Sequence, residues 1–499
     1  MLSHFVLMVV YALQVSLFFT VLWRRTRRAQ IRLFLQLFLG MVGGGLLRAW
    51  LMFPCRAGPP GPTPYRPRVA SRTMADSDRQ AVGEAEPEET SGDRPVTRIL
   101  VATGEASGDL HGARLISALR EDSDSRPGAQ HLGELEVYGI GSDELAAAGM
   151  RLVADSRAIA VIGLIEALRV VPHAFRIQRR LLAEVERRRP DVALLIDAPD
   201  FNLRLAKKLA RRGIPVVYFI SPQVWAWRQS RVHLIRRIVD KMLVLFPFEA
   251  DFYRQHDVPV EHVGHPLVDE IAARPQRWDE APTMPSPTGG PESLSGRTVV
   301  LLPGSRRSEV GRLLPLMLEV GSRLVASGAR VRLIVARSLD GDWLRATAQE
   351  ARPEGFGAIE LVEANRHDAI AEAHVALCAS GTATLEVGLL RTPMVVVYKV
   401  APLTYWLGRR LVAVPHIALV NLVLGRRAVP EILQGEAEPE AVEAAVRELA
   451  RGGEATETMR RHLAELREKL GQPGAARRAA VAVRDLVIER RRQRGDAPP

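Results

Sequence analysis

From residue 96 onward, short aliphatic and β-branched runs alternate with segments whose apolar positions recur at helical spacing. That alternation predicts βαβ units and parallel sheets. Strands are expected at 98–104, 137–141, 191–197, 215–220 and 241–246, with helices over 110–120, 176–189 and 203–212. A stretch dense in Pro, Gly and Ser, 281–296, then breaks the pattern and reads as a linker. The alternation restarts with strands at 297–305, 331–336, 359–363, 374–380 and 393–399, and helices at 309–327 and 383–390. The fold class is therefore α/β, with two Rossmann-like domains, 96–280 and 297–435, followed by Ala-, Glu- and Arg-rich helices over 436–499. Ligands of open α/β sheets sit beyond the carboxyl ends of strands, so the cleft between two such domains is the default active site.

The first 73 residues follow a different pattern. Residues 5–23 carry no charge and would span about 28 Å as a helix, close to the thickness of a bilayer core. Arg24, Arg25, Arg27, Arg28 and Arg32 come directly after, which the positive-inside rule places on the cytoplasmic side. A second apolar run, 33–47, reaches only about 22 Å. Two readings stand: a membrane anchor with one span, or an over-extended gene start, because Met74 opens an acidic, turn-rich stretch, 74–95, typical of a linker or a soluble protein's first residues.

Composition changes this picture in one respect. The formal charge of +11 suggests nucleic acid, but residues 1–73 hold ten Arg and no Lys, Asp or Glu. The other 426 residues are nearly balanced, at +1, so the body has no electrostatic footprint for DNA or RNA. Two cysteines, Cys55 and Cys378, supply neither a disulfide framework nor zinc-ligand spacing.

Candidate chemistry lies just past the strands. In TGEASGD (103–109), Gly104 and Gly108 permit tight turns, Ser107 and Asp109 are candidate caps, and Glu105 places a carboxylate at the cleft. The string serves equally as a capped βα loop, and it is not the GxGxxG of nicotinamide binders. In LLIDAPDFN (194–202), Asp197 ends an apolar strand where partial burial suits it to take a proton from an alcohol. Asp200 and Asn202 are expected to cap the next helix. SPQVWAWRQSR (221–231) brings Trp225, Trp227, Gln223 and Arg228 into one turn, the tryptophans facing a sugar or packing locally. His265 in VGHPLVD reads as a hydrogen-bonded structural residue. LLPGSRRSEV (301–310) and ASGTATLE (379–386) each set small donors, Ser305 and then Ser380, Gly381 and Thr382, at a helix start. Arg306 adds a positive fork and Glu386 an acceptor for ribose hydroxyls, which together suit a nucleotide diphosphate.

These strings, with FPFE (246–249), VGHPL, PMVVVYK and PEILQ, resemble in order the motifs of the lipid-A-disaccharide synthase family, from about residue 98 to 492. The resemblance implies an inverting, metal- and cofactor-independent transferase of the GT-B type that joins UDP-2,3-diacylglucosamine to 2,3-diacylglucosamine 1-phosphate (lipid X). The products would be UDP and a β-1,6-linked lipid A disaccharide. It implies Asp197 as base with Glu105 and Ser107 nearby, and Arg306 with Ser305 on the diphosphate. Ser380, Gly381, Thr382 and Glu386 fall to the donor turn, Asn421 to the cleft, and Gln434 to the terminal motif. The chain departs from the family at Gly141-Ser142-Asp143-Glu144-Leu145 and at Val420. The implied setting is the cytoplasmic face of a Gram-negative inner membrane; the apolar run 158–172 reads equally as a docking surface for acyl chains or as a buried helix, with Arg176, Arg179 and Arg180 placed to draw anionic lipid. A C-terminal segment exchanged between two subunits is also implied. Two other classes fit the architecture: an enzyme acting on a different UDP-sugar, such as an N-acetylglucosaminyltransferase or a 2-epimerase, and a non-catalytic scaffold.

Overall fold

The computed structural model describes residues 96–125, 131–158, 164–227, 229–273, 293–352, 356–400, 405 and 414–495. The N-terminal extension, the 74–95 stretch, residues 281–292 of the linker and the side chains of 158–172 lie outside the described residues.

Thirteen strands form two sheets among the described residues. In the first, β1 (Val96–Ala102), β2 (Glu134–Gly141), β3 (Arg151–Asp155), β4 (Val192–Ile196), β5 (Val216–Phe219), β6 (Lys241–Val244) and β7 (Val260–His262) lie in the order 3-2-1-4-5-6-7. In the second, β8 (Thr298–Leu302), β9 (Arg330–Ile334), β10 (Ile359–Val362), β11 (Val375–Ala379), β12 (Met394–Tyr398) and β13 (Glu431–Leu433) lie in the order 10-9-8-11-12-13. Every pairing is parallel. This is a two-sheet, Rossmann-like α/β architecture, as the alternating pattern predicts.

Both faces of each sheet are covered, which is why the central strands read as unbroken apolar runs. Ile99 and Val101 of β1 point into one core while Leu100 and Ala102 point into the other. Leu194 and Ile196 of β4 alternate with Ala193 and Leu195 in the same way. The strands absent from the sequence reading, β3, β7 and β13, are short and lie at or beside sheet edges. Their sequences RLVAD, VEH and EIL mix charge with apolar residues because an edge is only half covered.

The expected C-terminal block divides between the two halves. The helix Pro439–Arg451 packs on β11 and β12, the helix Glu454–Leu470 packs on the Thr382–Leu389 and Leu419–Leu424 helices, and the chain then crosses back. Asp269 receives the backbone N–H of Ala475 at 3.1 Å, and Arg478 Nε donates to Val263 O at 2.8 Å. The last helix, Ala475–Arg494, lies along the Ala106–Asp124 helix of the first half. Buried Arg484 pairs there with buried Asp122. Arg484 also pairs with Asp485 at 2.6 Å, so removing Asp485 alone still leaves the buried Asp122 partnered.

Candidate active site

Each sheet reverses its strand order once, between β1 and β4 and between β8 and β11. Ligand sites of open α/β sheets form at such switch points. The loops leaving β1 and β4 are those with Glu105 and Asp197, and the loops leaving β8 and β11 carry Arg306 and Ser380–Thr382. Sheet order therefore gathers motifs that lie up to 100 residues apart.

The first crevice is tight. A Cβ on Gly104 would stand 2.4 Å from Ala198 Cβ, so the two loops can touch only because residue 104 is glycine. Glu105 is exposed and stands at the N-cap of the Ala106–Asp124 helix without a side-chain bond, and Ser107 is exposed beside it. Asp109 is buried and is not a cap of its own helix. It accepts from Thr103 Oγ1 at 3.0 Å, and from the N–H and hydroxyl of Ser142 at 2.8 and 2.6 Å. The Gly141-Ser142 departure thus supplies the partner that ties the β1 loop to the turn after β2.

Asp197 and Ala198 both adopt left-handed backbone, φ 49° and 46°. Such a conformation costs an L-residue about 1–2 kcal/mol and persists only when neighbours enforce it. The enforcement is visible: Asp197 N–H donates to Phe219 O at 3.0 Å, and Asp197 O accepts from Tyr218 Oη at 2.6 Å and Asn202 Nδ2 at 2.9 Å. Asn202 is fully buried, and its amide also reaches Ala102 O and Ile196 O. It therefore stitches the ends of β1 and β4 together and does not cap a helix. The Pro199–Ala210 helix starts instead from left-handed Ala198 with Pro199 at its first position, and Asp200 pairs with Arg231 at 3.2 Å.

Burial pushes the Asp197 carboxyl above the ordinary aspartate range, and the nearby charge of Glu105 adds to the rise. The Ala198 N–H and the Arg306 guanidinium pull it back down. Arg306 belongs to the other sheet's switch point, so base candidate and cation stand within electrostatic reach across the crevice.

The second crevice is built from backbone. Gly304, at φ 116°, turns the chain, and Arg306 is the exposed N-cap of the Arg307–Ala326 helix. Ser305 N–H donates to Glu309 Oε2 at 3.1 Å and its carbonyl accepts from Ser338 Oγ at 2.8 Å. Thr382 opens the Thr382–Leu389 helix, exposed, after Gly381. The Ser380 hydroxyl is committed to Ile417 O at 3.0 Å, which removes it as a free donor. Glu386 is buried, with Arg366 Nη2 and His367 Nε2 at 2.9 and 2.7 Å from its Oε1.

Asn421 requires a correction. It is fully buried: Nδ2 donates to Val429 O and Glu431 Oε1, and Oδ1 accepts from the N–H groups of Ala428 and Val429. All its hydrogen-bonding capacity is spent on folding the 417–431 segment, leaving none for a ligand. Gln434 clamps Val400 through both amide atoms. Trp225 packs edge-to-face on Phe248, while Trp227 is exposed; Arg228 lies outside the described residues. His265 is buried, caps its helix by accepting from Leu267 N–H, and is held near pKa 3 by burial, as a structural residue should be.

The sequence profile of lipid-A-disaccharide synthetase matches residues 99–486. The chain belongs to the lipid-A-disaccharide synthase family. The Myxococcus xanthus (strain DK1622) lipid-A-disaccharide synthase is 44% identical over 393 residues, which cover 78% of this chain and 97% of that one. The Syntrophus aciditrophicus (strain SB) lipid-A-disaccharide synthase is 43% identical over 391 residues, with the same coverage. Among solved structures, the S. aureus MnaA–UDP co-structure is similar at a TM-score of 0.50 and 13% identity, covering 77% of this chain and 94% of that one, a likeness of fold alone. Membership of the lipid-A-disaccharide synthase family makes the chain a glycosyltransferase that forms the lipid A disaccharide, which sets aside the scaffold reading.

Two further buried carboxylates hold this lipid-A-disaccharide synthase-family fold together, one in FPFE and one in PEILQ, where the sequence assigned them no role. Glu249 of FPFE is buried and raised to about 7 by burial. It accepts from Ser221 Oγ (3.0 Å), Trp225 Nε1 (3.1 Å) and the N–H groups of Leu245 and Phe246, anchoring the loop after β5 beside Asp197's strand. Glu431 of PEILQ receives the N–H groups of Ile417 and Ala418. A Glu three residues after an N-cap is one half of a capping box, and Glu249 makes that half by accepting from the Phe246 N–H, while the Phe246 side chain has no acceptor to supply the other. Nothing local marks Glu431.

Proposed function

We propose that the chain transfers a 2,3-diacylglucosaminyl group from UDP-2,3-diacylglucosamine to the 6-hydroxyl of 2,3-diacylglucosamine 1-phosphate, with inversion. The acceptor oxygen attacks C1 in line and gives its proton to Asp197; the O6–C1 bond forms as the bond from C1 to the diphosphate oxygen breaks, and UDP leaves with the electron pair. Arg306, with the backbone donors of 381–382, stabilises the charge that develops on the diphosphate, while the N–H groups of Ser305 and Arg306 are held by Glu309. Glu105 and Ser107 flank the acceptor, and Glu386 receives the ribose. The observation that supports this reading is a desolvated aspartate at one switch point under the field of an arginine from the other. A proton acceptor of raised pKa opposite a fixed cation is what glycosyl transfer to an alcohol needs.

The enzyme would work at the cytoplasmic face of the inner membrane, where both acylated substrates reside. Phe175, Arg176, Arg179 and Arg180 are exposed on the Leu164–Arg187 helix and suit an anionic lipid surface. No helix among the described residues is long and apolar enough to cross a membrane. Exchange of the last helix between two copies would re-create the Arg484–Asp122 pairing between chains, and a concentration-dependent change in mass would reveal it.

The test is a product assay with both acylated substrates. Turnover should survive EDTA, because the mechanism uses no metal, and should collapse in Asp197→Ala and Arg306→Ala. Full turnover without the Asp197 carboxylate would remove it as base, and a strict need for soluble, unacylated sugars would favour another UDP-sugar enzyme.

A further inference from the structure

Glu386 stands in a buried network that neither the mechanism nor the motifs explain. Arg366 and His367 begin the Arg366–Ala371 helix, turned toward the Thr382–Leu389 helix by Asn365 in left-handed backbone at φ 51°. His367 is 1% exposed, and its Nε2 lies 2.7 Å from Glu386 Oε1. Arg366 Nη2 lies 2.9 Å from the same oxygen. On its other side, His367 Nε2 is 3.9 Å from Glu270 Oε1 of the first half, and Glu270 is itself paired with Arg337. Two side chains thus approach one oxygen of Glu386 at ion-pair distance without hydrogen-bond alignment, and Oε1 and both ring nitrogens of His367 are buried with no hydrogen-bond partner among the described residues. A buried ion pair adds little net stability, so convergence on a single oxygen asks for another explanation.

We propose that Arg366 and His367 are positioning residues for donor recognition: by their close approach they orient the Glu386 carboxylate to accept from the ribose hydroxyls of the UDP-sugar. Glu270, reaching from the acceptor half, sets the place of His367 and so ties ribose recognition to the juxtaposition of the two halves. The proposal rests on the assignment of Glu386 to the ribose.

The experiment compares initial rates with the UDP-sugar donor and its 2′-deoxy and 3′-deoxy ribose analogues. The unaltered enzyme should lose about tenfold in kcat/KM on the better-discriminated analogue, the worth of one hydrogen bond to a charged group. His367→Ala should raise the donor KM about tenfold, leave kcat and acceptor KM within about twofold, and lose nothing further on that analogue. His367→Gln, which keeps an N–H at similar reach, should recover most of the loss. Arg366→Ala, at a less buried position, should behave as His367→Ala does and stands in for it if that variant fails to fold. Losses that add fully between variant and analogue, or an acceptor KM that rises equally, would overturn the proposal. Should Glu386→Gln abolish ribose discrimination while the Arg366 and His367 variants keep it, the positioning role fails alone. Should Glu386→Gln discriminate as before, the ribose assignment fails first.

Discussion

The two switch points solve the same topological problem with opposite materials. The crevice at β1 and β4 holds side-chain chemistry on strained backbone: Asp197 and Ala198 are non-glycine residues in left-handed conformation, fastened by Tyr218, Asn202 and Phe219. The crevice at β8 and β11 uses glycines, Gly304 and Gly381, at its turns and presents the start of the Thr382–Leu389 helix beside the exposed Arg306. A base must hold one carboxylate in one direction in a desolvated place, so neighbours have to over-determine it. A diphosphate is met by N–H groups that every residue carries, so the turn needs only permissive backbone. The first crevice should therefore be sensitive to side-chain identity, the second to backbone shape and net charge.

The sharpest way to break this contrast is Asp197→Asn, which keeps the shape and removes the base. Turnover should fall about 10³-fold, the usual worth of a positioned general base, with the thermal midpoint little changed. Arg306→Ala should cost about 10²-fold in kcat/KM, as expected for one charge-stabilising donor, and partial rescue by Arg306→Lys would show that charge outweighs fork geometry there. Glycine replacements come next. Gly104→Ala meets Ala198 Cβ at 2.4 Å and should destabilise by about 1–3 kcal/mol in a denaturant titration. Gly311→Ala, with open space around it, should instead stabilise by about 0.5–1 kcal/mol, since it removes a glycine from a helix interior.

The smallest effect sharpens the electrostatic link between the crevices. Turnover requires ionised Asp197, so kcat/KM should fall as pH drops through its pKa, which burial has raised above the usual aspartate value. Removing the Glu105 charge with Glu105→Gln takes away a raising influence, and the acid limb should move to lower pH. Removing Arg306 takes away a lowering influence, and the residual activity should show its acid limb at higher pH. Limbs that stay in place in both variants would mean the two crevices do not share a field.

Some of this could be read without coordinates. The central strands announced themselves because parallel sheets buried on both faces demand continuous apolar runs, and loops such as TGEASGD, LPGSR and ASGTATLE stood out by carrying small and charged residues just after them. Edge strands β3, β7 and β13 did not, because half-covered strands mix polar with apolar residues.

The sequence by itself determined which residue types stand at strand ends, and hence the candidate base, the candidate diphosphate cation and the family. Only the tertiary structure decided how those side chains are used. Asn202 looked like a cap and instead spans β1 and β4, Asp109 looked like a cap and holds Ser142, and Asn421 looked like a ligand contact and is saturated by its own chain. The reason is physical: local pattern records whether a residue is buried or near a turn, whereas a hydrogen-bond partner 100 residues away is supplied by strand order, which no local window contains.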